Sequence, residues 1–146
     1  METLRFVPLA KEHVAALAKL DETAPDPWNE PEIAAELTKP ACRCTVALLQ
    51  GEPVAFGCFW RTGETADLAT LSVRQQNRRC GIGRALLKAA LAALQAEGVC
   101  RVLLEVRCSN APAIALYESL GFERLAQRKA LYTKPMEDGF LMERVF

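Results

Sequence analysis

Apolar positions in this chain recur with two different periods, and the changeovers between them divide it into elements. LRFVPL at residues 4–9 predicts a first strand. In the KEHVAALAKL that follows, Val14, Leu17 and Leu20 return at helical spacing, and the proline-rich APDPWNEPE ends that helix. PEIAAEL predicts a short second helix, with Pro31 tolerated in its first turn. The pattern then becomes that of strands: CRCTVALLQ, PVAFGCFW and ADLATLSV, joined by hairpin-type turns at GE and TGET. Leu87, Leu91 and Leu94 mark one side of a third helix that Gly98 can terminate. CRVLLEVR reads as a mostly buried strand, and NAPAIALYESLG as a helix between an Asn110 N-cap and a Gly121 stop. FERLAQRKALY and FLMERVF close the chain as two more strands. The order β-α-α-β-β-β-α-β-α-β-β predicts one mixed α/β domain, antiparallel in its first half, with a parallel crossover at its centre and flanking helices.

Composition narrows the function classes. At 146 residues, 51% of them hydrophobic, the chain can bury one ordinary core. Its 18 basic and 18 acidic residues cancel, which argues against a general nucleic-acid binder. No apolar run is long enough to cross a bilayer, and METLRFVPLAKEH lacks the layout of a signal peptide, so a cytoplasmic location is expected. The six cysteines show no C-x-x-C spacing and His13 is the sole histidine, so no metal site is expected. Cys42 and Cys44 would share one face of a strand as ordinary reduced, apolar residues.

One segment carries more charge and backbone freedom than a connection needs. RRCGIGRALL places Arg78, Arg79 and Arg84 around Gly81 and Gly83 at the mouth of the third helix. A helix N-terminus offers unpaired N–H groups and partial positive charge, and glycines let an anion approach the backbone. A solvated charged turn is the competing reading. A Walker loop is ruled out, because no lysine followed by a hydroxyl residue stands at the required place. A dinucleotide fingerprint fits at Gly81 and Gly83, with Glu105 near the expected acidic position. It fails at Leu86, and residues 74–80 separate the first glycine from its strand.

These residues match a more specific pattern. Arg78-Arg79-Cys80-Gly81-Ile82-Gly83, with the strand before it and the helix after it, resembles the cofactor signature of the GNAT superfamily of acyl-CoA-dependent N-acetyltransferases. LLEVRCSNAPAIALYESLGFE resembles a second segment, found in the RimI-type subfamily, whose members acetylate the N-terminal alanine of a small-subunit ribosomal protein. PDPWNE and EDGFLME are similar to that subfamily too, so the resemblance spans nearly the whole chain.

The resemblance implies a GNAT-like domain in which two parallel strands splay apart at the centre, and it implies acetyl-CoA as co-substrate. Its pyrophosphate would lie against Arg79, Cys80, Gly81, Ile82, Gly83 and Arg84, with Arg78 beside them. Leu71, Ser72 and Val73 would pair by backbone with the pantetheine arm, and Asn110 would contact the cofactor. Glu105 matches the general base and Tyr117 the general acid, though on residue type alone they could be an exposed carboxylate and a core aromatic. Trp28 and Tyr132 would wall the acceptor groove, and the acidic pair Glu137–Asp138 would face a charged acceptor segment, unless it is a solvated turn. The subfamily's YYP stretch is here Leu131-Tyr132-Thr133, which touches acceptor preference. Cys108 lies far in sequence from His13 and is a poor candidate nucleophile.

The expected partner is thus a protein N-terminus, that of a ribosomal protein, with no membrane or direct nucleic-acid contact expected and the enzyme a monomer or weak dimer. An α-amino group has a reference pKa near ~8 against ~10.4 for lysine, so it is easier to deprotonate at neutral pH. A GNAT enzyme for polyamines or aminoglycosides and a non-catalytic CoA-binding module are the competing functions. An acceptor groove open to an extended peptide separates the first from the leading reading, and turnover separates the second.

Overall fold

In the computed structural model, which describes residues 3–22 and 26–146, the longest buried run is Val54 to Phe59 in β3 (Glu52–Thr62). That strand sits inside a sheet covered on both faces. The described residues form seven strands in the order β1-β2-β3-β4-β5-β7-β6. These are β1 (Leu4–Pro8), β2 (Cys42–Leu49), β3, β4 (Thr65–Val73), β5 (Arg101–Arg107), β6 (Glu123–Thr133) and β7 (Met136–Val145). Every neighbouring pair is antiparallel except β4 and β5.

Two helical layers cover the sheet. α3 (Ile82–Ala96) and α4 (Ala111–Ser119) bury Leu87, Leu91, Leu94, Ile114 and Tyr117 against Phe59, Val102, Leu104 and Val106. α1 (Val14–Asp21) and α2 (Glu30–Ala35) bury Leu17 and Ile33 on the other face, against Val46, Phe56 and Cys58. Alternation along β5 follows from this layering: Val102, Leu104 and Val106 enter the α3–α4 core, while Glu105 and Arg107 point to the opposite face.

The parallel pair is short. β4 and β5 are in register at Thr65↔Arg101, Ala66↔Val102 and Asp67↔Leu103, and pair no further. Beyond that point β4 holds an extra residue: Cys58 faces Thr70 but Phe59 faces Leu68, which leaves Ala69 bulged. A bulge bends its strand and increases the local twist, so β4 turns away from β5 where pairing stops. This is the splayed pair that the sequence resemblance implies.

Three boundaries differ from the sequence expectation. The first helix starts with a 3₁₀ turn, Lys11–His13, where His13 Nδ1 accepts from the Ala10 N–H at 3.0 Å. α2 begins at Glu30, because Asn29 and Glu32 form a capping box: Asn29 Oδ1 accepts the Glu32 N–H (2.9 Å) and Glu32 Oε1 accepts the Asn29 N–H (3.1 Å). The last strand starts at Met136, not near residue 140, so Glu137 and Asp138 are strand residues and not a turn. Residues 24 and 25 of the expected proline break lie outside the described residues.

Far from the splay, Glu97 at the end of α3 ties helix to sheet. Its carboxylate accepts from Arg43 Nε (3.0 Å) and Arg61 NH1 (3.0 Å), and its main-chain carbonyl accepts from Arg61 NH2 (3.1 Å). The hydrogen bond from Arg43 leads the effects that hold the Glu97 carboxyl below its ordinary value. A depressed folded-state value means the stabilisation is complete above the unfolded carboxylate range and disappears as pH falls through the depressed value. Glu97→Gln is expected to lower the thermal midpoint at neutral pH, with the gap to the parent closing as a pH series descends below about 4. Asn29→Ala is expected to cost about 1 kcal/mol in urea unfolding and Asn29→Asp almost nothing, since aspartate preserves the cap.

Candidate active site

Where β4 leaves β5, the sheet opens into a cleft of about 170 Å³. Leu68 to Leu71 of β4 and Glu105 to Arg107 of β5 line its two sides, with Asn110 and Tyr117 from the start and middle of α4. Asp26, Trp28 and Tyr132 form its outer rim. A larger groove of about 460 Å³ between β2 and α3 is lined by Phe6, Cys42 and Leu94 and touches neither Glu105 nor Tyr117.

Strand geometry decides which β4 groups face the opening. The Arg74 N–H bonds the Val54 carbonyl of β3 at 2.7 Å, so alternation turns the Ser72 main chain toward β3 and those of Leu71 and Val73 toward the gap. Of the three residues expected to offer backbone there, Ser72 is therefore spoken for; its side chain is buried on the sheet. Arg78 Nε already donates to the Val73 carbonyl (3.1 Å), leaving the Val73 N–H and both Leu71 groups as the open edge.

The basic loop delivers a second set of unpaired donors. Gly81 caps α3 with φ 81° and ψ 6°, a left-handed conformation that disfavours side chains, and Arg79 before it has φ 63°. A Cβ on Gly81 would meet nothing within 4 Å, so the space in front of the loop is open. The first bond of the helix runs from the Ala85 N–H to the Gly81 carbonyl (3.0 Å), and no side chain caps it. The N–H groups of Ile82, Gly83 and Arg84 thus lack protein acceptors among the described residues. With Arg79 and Arg84 exposed at the rim, this mouth fits a diphosphate anion. Cys80 is exposed beside it, its thiol near the Arg78 carbonyl at 3.6 Å.

On the far wall stand the two residues expected to carry protons. Glu105 is exposed on β5, facing the cleft. Tyr117 is 7% exposed, packed edge-on against Phe122 with ring centres 5.9 Å apart. Burial, then the charge of Tyr132, pushes its phenol above the ordinary tyrosine value. Asn110 Oδ1 caps α4 by accepting the Ala113 N–H (3.3 Å), leaving its amide N–H groups for the cleft.

The outer rim is built around a guanidinium. Arg107, two residues beyond Glu105 on the same strand face, is 6% exposed and stacks on the Tyr132 ring at 4.3 Å. It bonds Asp26 through two parallel N–H···O contacts of 3.0 and 2.8 Å. Burial, then the charges of Asp26 and Glu105, push the Tyr132 hydroxyl up to about 12. Trp28 stacks on Trp60 (6.3 Å between rings), and Trp60 Nε1 is held by the buried Glu36 carboxylate at 2.8 Å. Tyr132 owes its place to a bulge in β6 between Arg128 and Tyr132. It also needs Gly139, where a Cβ would lie 2.6 Å from Leu131 and 2.9 Å from Tyr132.

Glu137 and Asp138 do not line the cleft. Glu137 accepts from the Ser109 N–H (2.7 Å) and Arg107 (3.3 Å), and both bonds hold its carboxyl below the ordinary range. Asp138 accepts from the Ala130 N–H (2.9 Å) and Gln127 (3.0 Å), securing the β6 bulge. Burial raises the Cys108 thiol, which weakens it further as a nucleophile. Sequence reasoning did not single out Arg107, Asp26 or Trp60. The signal for Arg107 was present: residues i and i+2 of a strand share a face, and Glu105 had already been placed.

Comparison with known proteins agrees with this geometry. Residues 13–122 match the model of the acetyltransferase (GNAT) family. The ribosomal protein bS18-alanine N-acetyltransferase of Escherichia coli (strain K12) is 36% identical over 118 residues, covering 80% of this chain and 79% of that protein. The N-alpha-acetyltransferase RimI of Mycobacterium tuberculosis (strain H37Rv) is 34% identical over 123 residues, 82% of this chain and 76% of that one. The crystal structure of the E. coli ribosomal-protein-S18-alanine N-acetyltransferase superposes with a TM-score of 0.90 at 31% identity, covering 98% of this chain and 94% of that chain. A split sheet with an open β4 edge, an uncapped glycine loop before α3 and family-wide similarity lead to one conclusion: this chain belongs to the GNAT family and is an acetyl-CoA-dependent N-acetyltransferase.

Proposed function

We propose that this chain acetylates the α-amino group of a protein N-terminus, and that the acceptor is the N-terminal alanine of a small-subunit ribosomal protein met in the cytoplasm. The observation that carries the reading is the convergence of Glu105, Tyr117, Trp28 and Tyr132 on one cleft beside the free β4 edge. Kinship with enzymes named for ribosomal-protein alanine and N-alpha acetylation supports the acceptor class.

Acetyl-CoA, when bound, supplies an acetyl group activated as a thioester. The N–H groups of Ile82, Gly83 and Arg84, with Arg78, Arg79 and Arg84 side chains and the Cys80 backbone around them, would hold its diphosphate. Leu71 and Val73 would receive its arm, with Asn110 alongside. The Val73 N–H is a donor suited to polarising a carbonyl oxygen in the gap. Glu105 takes the proton that the acceptor ammonium must lose, directly or through water, because a protonated amine has no lone pair for attack. Tyr117, protonated at neutral pH as any tyrosine is, delivers its phenolic proton to the departing sulfur. Trp28 and Tyr132 confine the acceptor's first residues. Glu137 and Asp138 serve the acceptor indirectly, through Arg107 and the β6 bulge.

Incubation with acetyl-CoA and a peptide beginning Ala-Arg should place one acetyl group on the α-amine, located by mass spectrometry. A blocked peptide with an internal lysine, and a polyamine, should stay unlabelled. Label on the polyamine alone would overturn the acceptor assignment while leaving the acetyl-CoA site standing. Tyr117→Phe should lower kcat by roughly 10²- to 10⁴-fold with the fold intact, and Glu105→Gln should do likewise. Near-normal turnover in either variant would remove that residue from the chemistry.

A further inference from the structure

A buried guanidinium is tolerated when its hydrogen-bonding capacity is saturated, and Arg107 meets that condition completely. Arginine carries five N–H donors in a rigid fork. Here Nε and NH2 bond the two Asp26 oxygens at 3.0 and 2.8 Å. NH2 also reaches the Lys134 carbonyl (3.1 Å), and NH1 reaches the Pro135 carbonyl (2.9 Å) and Glu137 Oε1 (3.3 Å). The bonds to Asp26, foremost, and to Glu137 raise its pKa above arginine's already high value, so the charge is permanent.

What those partners have in common is position. Asp26 lies two residues before Trp28, in the segment that leads into α2; Lys134 and Pro135 form the turn that follows Tyr132; and Tyr132 itself lies under the guanidinium plane at 4.3 Å. Both sides of the acceptor rim are thereby fastened to a single side chain. That side chain is rooted on β5 two residues from Glu105, on the same face. The loop before α3 contributes nothing to this cluster, so the two halves of the cleft are held separately.

From this arrangement we infer that Arg107 is a positioning residue for acceptor recognition. It sets the spacing of the Trp28 and Tyr132 walls relative to Glu105 without touching the reacting atoms. The inference rests on the proposed transfer to a protein N-terminus and adds the device that aligns it. Lysine cannot replace Arg107, because a single ammonium has three donors, cannot bond two carboxylate oxygens side by side and offers no plane to Tyr132. Asp26 is the complementary probe. Its side chain is 54% exposed, so its truncation opens no core.

The test is steady-state kinetics of Arg107→Lys and Asp26→Ala with the Ala-Arg peptide. The peptide is varied at saturating acetyl-CoA and then held saturating while acetyl-CoA is varied. Misplaced walls should raise the peptide KM, on the order of tenfold for Asp26→Ala and about a hundredfold for Arg107→Lys. The KM for acetyl-CoA, the thermal shift produced by CoA and the pH dependence of kcat should remain those of the parent. In the double variant the two losses should be less than additive, since both break one cluster. An unchanged peptide KM in Asp26→Ala, measured where its thermal midpoint shows it folded, would overturn the inference. So would a fall in kcat or in acetyl-CoA affinity that matches the change in peptide KM. If the parent enzyme itself labels no peptide, the acceptor reading fails instead, before any variant is needed.

Discussion

The site exists because a parallel pair stops after three residues. Inside a sheet, every main-chain N–H and C=O normally finds its partner on the neighbouring strand, and leaving such groups unpaired in a covered region is costly. Here β5 departs from β4 at Asp67↔Leu103, while β4 runs on to Val73 with β3 on its other side. The bulge at Ala69 bends β4 away, and α4 begins just past the end of β5, bringing Asn110 and Tyr117 to the cleft. An open strand edge in mid-sheet is a template for an extended ligand. It is also fixed in register, because β3 on one side and the α3 and α1 layers above and below hold β4 in place.

The two ends of the cleft use different physics. At the α3 end the open groups are backbone, unpaired N–H groups and a strand edge that side-chain changes alter little, with the side chains of Arg78, Arg79 and Arg84 around them. That explains how Cys80 can stand within the loop with an exposed side chain and no structural duty beyond a weak contact to the Arg78 carbonyl. At the β6–β7 end the work falls to side chains. Arg107, Asp26, Glu137, Tyr132 and the Trp28–Trp60–Glu36 stack form connected networks in which removing one member strands another. On the proposed reading, backbone groups serve the acetyl-CoA end of the cleft and side-chain networks the acceptor end.

This division also explains what could be read from the sequence. The helices and central strands follow from apolar periodicity, and the glycine loop announces itself by composition. Glu105, Tyr117 and Asn110 stand in a contiguous motif, and the structure brings all three to one cleft. The less legible features are those made by residues distant in sequence. Nothing local in LATLSV marks Ala69 as the bulged position; only the register with Cys58 and Phe59 reveals it. Nothing local ties Asp26 to Arg107, 81 positions apart. The acidic pair shows the same dependence: the resemblance points Glu137 and Asp138 toward the acceptor, and only the pairing of β7 reveals that their carboxylates accept from Ser109, Arg107, Ala130 and Gln127.

Charge provides the last step. The chain is neutral overall, with 18 basic and 18 acidic residues, yet its charges are segregated at the cleft. Arg78, Arg79 and Arg84 gather at the N-terminus of α3, where the helix dipole adds to them, and no acidic side chain is paired there among the described salt bridges. At the other end Asp26 and Glu137 bond the Arg107 guanidinium, and Glu105 lines the cleft two residues away on the same strand. On the proposed reading an anionic donor and a cationic amine approach from opposite ends, and each meets the opposite sign. Arg107 is the cation among the rim carboxylates: without it, those of Asp26 and Glu137 would be left uncompensated beside each other, and repulsion would spread the rim. On that same reading, the positive charge that holds the walls together also offsets the carboxylates that face it, which ties the geometry of the acceptor side to its electrostatics through one residue.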